Sequence, residues 1–160
     1  SNFSSSLASH LGLRFAFAHF ISAKGGEDAS NTYRREFIKS TREREPYNMV
    51  CISVICAKTQ AEAEILAAPL DHRRLLMATG EETPFQKTET SKSNQYSEFE
   101  KEVIQQNRTR SIIGCPKYVK EKLEVIKKDF CANEVMILTM TGGYQERIES
   151  YELIAESFGL

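Results

Sequence analysis

One stretch constrains the fold more than any other: Ser111 to Gly143, SIIGCPKYVKEKLEVIKKDFCANEVMILTMTGG. Cys115-Pro116 opens a helix there, because proline suits the first helical position, where its missing N–H has no partner to lose. Val119, Leu123, Ile126 and Phe130 recur at helical spacing and form one apolar stripe, with Lys117, Lys120, Glu121, Glu124 and Lys128 off it. Val135 to Leu138 is apolar without polar alternation. Such a strand is expected to be buried on both faces, as in a parallel sheet covered by helices. Met136 and Met140 are expected to fill gaps in the core. A Gly142-Gly143 loop and a helix from Tyr144 to Phe158 complete an α/β repeat.

The rest of the chain continues that pattern. Leu13 to Phe20 (LRFAFAHF) and Tyr47 to Ala57 (YNMVCISVICA) are expected as two further buried strands. Ser4 or Ser5 caps a first helix whose apolar face is Leu7, Ala8 and Leu11, and Gly12 closes it. Asp28 to Ile38 is a helix. Thr59-Gln60-Ala61-Glu62 is a capping box ahead of an alanine-rich helix, which Pro69 is expected to break. Gly80 to Asn94 is polar and is expected to be an exposed, mobile connection. Tyr96 to Gln106 is a helix with Phe99 and Val103 facing inward. The expected organisation is a single partial barrel domain over 1–160, with 80–110 an inserted or mobile connection. Three buried parallel strands leave unpaired edges, so either the protein oligomerises, a homodimer being expected, or part of the sheet lies elsewhere. The chain opens directly on a helix, without methionine or a preceding strand, which suggests a piece of something longer.

Charge narrows the partners. The 160 residues carry 21 basic and 22 acidic side chains, mixed along the chain. No broad positive field results, which argues against nucleic acid. Arg34-Arg35, Arg73-Arg74 and Lys127-Lys128 are expected on solvated helix faces. There is neither a signal peptide nor a long apolar run, so a membrane role is not expected and the cytoplasm is the expected compartment. The four cysteines form no C-x-x-C pair, which points to reduced thiols rather than zinc or a disulfide framework.

Two features suggest chemistry. Ser1, Ser4, Ser5 and Ser6 crowd a helix N-terminus, where free N–H groups and hydroxyls suit a phosphate, although serines also simply cap helices. His19 ends a buried strand, and that edge of a parallel barrel is the active-site face, although a packed histidine fits equally well. Gly142-Gly143 either lets a ligand approach closely or merely permits the turn. No P-loop, G-x-S-x-G or H-E-x-x-H motif is present.

In order and spacing, SNFSSSLASHLGLRFAFAHF, YRREFIKS…EPYNMVCISVICAKTQAEAEILA, SIIGCPKYVKEKLEVI and SYELIAESF resemble the bacterial luciferase-like flavin monooxygenases. The resemblance covers nearly the whole chain apart from about Gly80 to Arg110. It implies the C-terminal half of a TIM (β/α)8 barrel, and a flavin-dependent monooxygenase using reduced FMN and molecular oxygen, with a flavin reductase as a possible partner. It also implies that Ser1 and Ser4 hold the FMN phosphate, that Ser5 follows on the same turn, and that His19 lies beside the isoalloxazine ring. The first five strands of that barrel are absent from this sequence, so the resemblance assigns no catalytic residue. The alternative is a non-catalytic half-barrel that dimerises and binds flavin weakly or not at all.

Overall fold

The computed structural model describes residues 2–81 and 84–160. Among these the elements run α1 (Asn2–His10), β1 (Phe15–Ala18), α2 (Gly26–Glu36), β2 (Asn48–Cys56), α3 (Gln60–Thr79), α4 (Thr88–Ser91), α5 (Glu98–Arg108), β3 (Ser111–Gly114), α6 (Pro116–Asp129), β4 (Glu134–Leu138) and α7 (Tyr144–Phe158). The three expected strands are present. Ser111–Gly114 adds a fourth, too short and too close to the α6 start to carry a period of its own. β1 and β3 both pair with β2 in parallel, in the registers Phe15↔Asn48 to Ala18↔Cys51 and Ser53↔Ser111 to Cys56↔Gly114, and β4 also pairs with β2. The chain divides into two compact units: one holds the chain up to Ile52 with Lys122–Leu138, the other Ser53–Glu121 with Thr139–Leu160.

The first unit is built on an aromatic core of Phe15, Phe17, Tyr33, Val50 and Phe130, with Ala29 and Ala132 filling between them. Alternation along the strands sends Phe15, Phe17 and Val50 to the side of α2. The Tyr33 ring is fully buried, and its hydroxyl donates to the Leu13 carbonyl (2.8 Å) and accepts from the Tyr47 N–H (3.0 Å). It thereby ties the starts of β1 and β2 to α2. Gly12, at φ 59°, ends α1 as expected: its N–H reaches the Ser9 carbonyl and the Leu13 N–H reaches the Ala8 carbonyl, the paired bonds of a left-handed helix stop.

Two expectations fail in this unit. α1 turns its serine face inward: Ser5 and Ser9 are buried, while Leu7 and Leu11 are exposed. Small side chains let α1 approach α2 closely, and each hydroxyl is satisfied by a carbonyl one turn back, Asn2 for Ser5 and Ser6 for Ser9. β4 is not buried on both faces. Val135 packs against the core, but Met136, on the opposite face of the strand, is 51% exposed.

The second unit packs Ile55, Ala57 and Ile113 against Ala63, Ala67 and Leu70 of α3, with Leu66, Phe85 and Met140 alongside. Met140 thus fills the core as expected. The Thr59–Glu62 capping box is formed. The break at Pro69 is not: α3 continues through it to Thr79, with Pro69 fully buried. Proline costs a helix interior about 3 kcal/mol. The buried stripe of Ala63, Ala67 and Leu70 spans the proline, and burying one leucine alone returns about 1.5–3 kcal/mol.

In α5 the inward residue is Ile104, whereas Phe99 is 72% exposed, contrary to expectation. α5 is held to α3 by ions. Arg108 donates to Asp71 through Nε (3.0 Å) and Nη2 (2.6 Å), and also to Glu64. Burial pushes the Asp71 carboxyl up, and Arg108 draws it back. Arg74, expected in solvent, is buried and donates to the Ser111 hydroxyl (2.7 Å) and the Asn107 carbonyl (3.3 Å). Burial lowers its guanidinium to about 10, and the Arg110 charge acts in the same direction. In the stretch read as an exposed connection, α4 has Thr88 and Ser91 buried, and Gln86 accepts from Ser91 and Asn94.

The Tyr33 hydroxyl yields the sharpest test of this packing. Tyr33→Phe leaves the Leu13 carbonyl and Tyr47 N–H without their buried partner, an expected loss of about 1–3 kcal/mol. Urea unfolding should show a lower midpoint with an unchanged slope.

Candidate cofactor-binding site

The site expected from sequence comprises Ser1, Ser4, Ser5 and His19. Ser1 lies outside the described residues. α1 packs against β1, and only Leu11–Arg14 join the two, so the helix must run back along the strand. Nine helical residues rise roughly 14 Å. From Phe15 to His19 the extended chain covers roughly the same distance. The first turn of α1 and His19 therefore share the C-terminal end of β1.

At that end the three described residues differ. Ser4 is exposed. Ser5 is fully buried and its hydroxyl donates to the Asn2 carbonyl (2.9 Å), so its side chain serves the helix and faces the packed side. His19 is mostly buried, its ring edge-on to Phe130 at 5.9 Å between centroids. α1 has no acidic residue in its first turn, a feature it shares with α6, whereas α2, α3, α4, α5 and α7 each carry at least one there. The partial positive charge at the start of α1 is thus not neutralised by a carboxylate of its own turn. An anion such as a phosphate fits this chemistry.

The Gly142-Gly143 loop has a different role. The start of α4 fills the space beside Gly142: a Cβ there would lie 2.4 Å from the Thr88 backbone nitrogen. Glu146 accepts from the Gly143 N–H (3.0 Å) and the Thr88 hydroxyl (2.8 Å), so a carboxylate of the chain already occupies the N-terminus of α7. Glycine is needed for close approach of α4, not of a ligand. The pairing of Gly143 with Glu146 three residues on is a capping spacing present in the sequence, but its link to Thr88 has no sequence signal.

Beside that loop a cleft of about 570 Å³ is lined by Cys56, Lys58, Leu66, Thr88, Lys92 and Glu146, among others. Cys56 is no nucleophile at neutral pH, since burial, with a smaller contribution from Cys115, pushes its thiol up to about 11. Among the described residues no group of three His, Cys, Asp or Glu is placed to hold a metal ion, and no helix is long and apolar enough to cross a membrane.

No family model matches the chain. It is 36% identical over 151 residues to the uncharacterized protein YceB of Bacillus subtilis, covering 94% of this chain and 46% of that protein. To a luciferase-like monooxygenase of Escherichia coli it is 31% identical over 153 residues, covering 96% and 46%. The crystal structure of apo-MsnO8 superposes with a TM-score of 0.89 at 27% identity, over all of this chain and 49% of that one. The oxygenating constituent of 3,6-diketocamphane monooxygenase from Pseudomonas putida, solved in complex with FMN, shares the fold at a TM-score of 0.56 and 16% identity, over 96% of this chain and 44% of its own. The chain thus spans about half the length of the curated relatives it matches.

Two outcomes test the local chemistry. Gly142→Ala should force α4 off the loop, and limited proteolysis should then cut within 84–94 faster than in the parent protein. In iodoacetamide labelling at pH 8, the exposed Cys131 should react first and the buried Cys56, with its thiol pushed up to about 11, last.

Proposed function

We propose that this chain, a relative of the luciferase-like monooxygenases that corresponds to half of their barrel, carries the phosphate-binding part of an FMN site in a flavin-dependent monooxygenase. What supports the reading is the first turn of α1, which holds no carboxylate, on a helix that the short Leu11–Arg14 link folds back along β1 toward His19. In this reading the Ser4 hydroxyl and the first N–H groups of α1, that of Ser5 included, donate to the phosphate. Ser1 adds a second hydroxyl. The buried Ser5 side chain holds the turn in shape through Asn2. His19 stands beside the flavin ring, fixed in orientation by Phe130. Reduced flavin, when bound, supplies the electrons for oxygen activation. The chain's own part is to bind and orient it; catalytic groups belong to the half of the relatives' length that this chain does not match.

A second reading, a non-catalytic half-barrel that binds flavin weakly, is favoured by the open face of β4, where Met136 stands in solvent. The two readings separate in a titration of the purified chain with FMN and with riboflavin, followed by quenching of flavin fluorescence. On the first reading FMN binds more tightly than riboflavin, and Ser4→Asp, which sets a negative charge in the phosphate's place, weakens FMN by about tenfold or more while leaving riboflavin unchanged. Absence of binding at high micromolar FMN, or equal loss for both flavins, overturns it.

A further inference from the structure

Within the second unit, α3 and α5 face each other across a cleft of about 400 Å³. Glu64, Ala68 and Asp71 share one face of α3 at helical spacing, as Lys101, Ile104 and Arg108 do on α5. The stretch 91–96 closes a third side. It is fixed there by the Tyr96 hydroxyl, which accepts from Asn94 (3.2 Å) and meets His72 Nδ1 (3.3 Å). Ile65, Ala68 and Ile104 give the cleft an apolar lining, with Ala68 the smallest of the three. The volume lies in the range of small-molecule pockets, roughly 300–1,000 Å³.

Two acceptors of α3 at this cleft lack a donor. Arg108 donates to Oδ2 of Asp71 through both Nε (3.0 Å) and Nη2 (2.6 Å). That leaves Asp71 Oδ1 without a hydrogen-bond partner among the described residues, on a residue only 4% exposed. A buried polar atom is ordinarily satisfied. Pro69 has no N–H, so the Ile65 carbonyl also loses its helical partner. Charge decides what kind of donor suits them. Arg108 bonds both Asp71 and Glu64, and Arg74 lies close enough to act on Asp71 as a second positive charge. Lys101 is paired with Glu98 (2.6 Å). Two carboxylates thus meet two guanidinium groups. A cation entering the cleft finds no spare negative charge, and an anion meets the carboxylates, so either would be left uncompensated. The groups call for hydrogen-bond donors that bring no charge.

We infer that this cleft binds a small neutral polyhydroxy compound. One hydroxyl donates to Asp71 Oδ1, another to the Ile65 carbonyl, and the carbon skeleton lies on Ile65, Ala68 and Ile104. Every residue of this site is in the second unit, whereas Ser4 and His19 belong to the first, so the inference does not rest on the FMN reading.

NMR titration of the isotope-labelled chain with glycerol and with D-glucose, in the absence of flavin, is the test. At least one of the two should give saturable shifts at the Ala68 and Asp71 amides and the Arg108 Nε–H, with millimolar affinity, while the resonances of β1 stay in place. Ala68→Leu adds bulk at a position that is not buried and should weaken that binding by about tenfold or more in a chain whose spectrum is otherwise unchanged. Ala68→Met serves if the leucine variant fails to fold. Butylammonium and butyrate, which carry the same kind of skeleton with a charge, should give no saturable shift. Absence of saturation with both polyols overturns the proposal and leaves a water molecule as the partner of Oδ1. Binding that the Ala68 variants leave unchanged, or tighter binding of either charged probe, overturns it equally.

Discussion

The buried amide of Asn48 is the tie on which the aromatic unit depends. Its Nδ2 donates to the Phe130 carbonyl (3.0 Å) and its Oδ1 accepts from Arg34 (2.8 Å). Its backbone N–H and carbonyl both engage Asn133, at 3.1 and 2.8 Å. One residue at the start of β2 thus grips α2, the end of α6 and the turn into β4. Burying an amide without partners costs several kcal/mol, so the four contacts stand or fall together. They also account for Cys131, whose φ of 46° is rare for a residue with a side chain. The turn from Phe130 to Asn133 is held on both sides of it, which keeps the cysteine in a conformation normally left to glycine or asparagine.

The stabilising ties and the residues proposed for flavin binding lie at opposite ends of the first unit. Tyr33, Asn48, Arg34 and Asn133 knit the N-terminal ends of the strands. The C-terminal end of β1 holds His19 and the first turn of α1, the end where barrels of this kind place their ligands. Rigidity at one end is compatible with a binding turn at the other, since the strands between them transmit position without sharing hydrogen-bonding groups.

Three helices of the second unit start differently from α1. Glu62, Glu100 and Glu146 each fold back onto a backbone N–H at the start of their own helix, on Thr59, Ser97 and Gly143 respectively. These carboxylates neutralise the helix dipole internally. α1 begins Asn-Phe-Ser-Ser and has no such residue. The same economy explains Gly142: the loop after β4 is occupied by the protein's own α4 and Glu146, so its glycine reflects packing.

Much of this was legible in the chain. Proline at the head of α6, the Val119–Phe130 stripe, the Thr59 capping box and the αL stop at Gly12 are local effects, decided within one or two turns, and all formed as the residues require. The serine turn and His19 were likewise visible as residue types in order, although not which hydroxyl would face out. Tertiary structure alone decided that Ser5 is buried and Ser4 exposed, that α3 runs through Pro69, that Arg74 is interior, and that Met136 meets solvent. Each of those depends on which surface a residue distant in sequence covers. Periodicity tells which face of an element is apolar, but the neighbour that buries it, or is missing, is set by the packing of the whole.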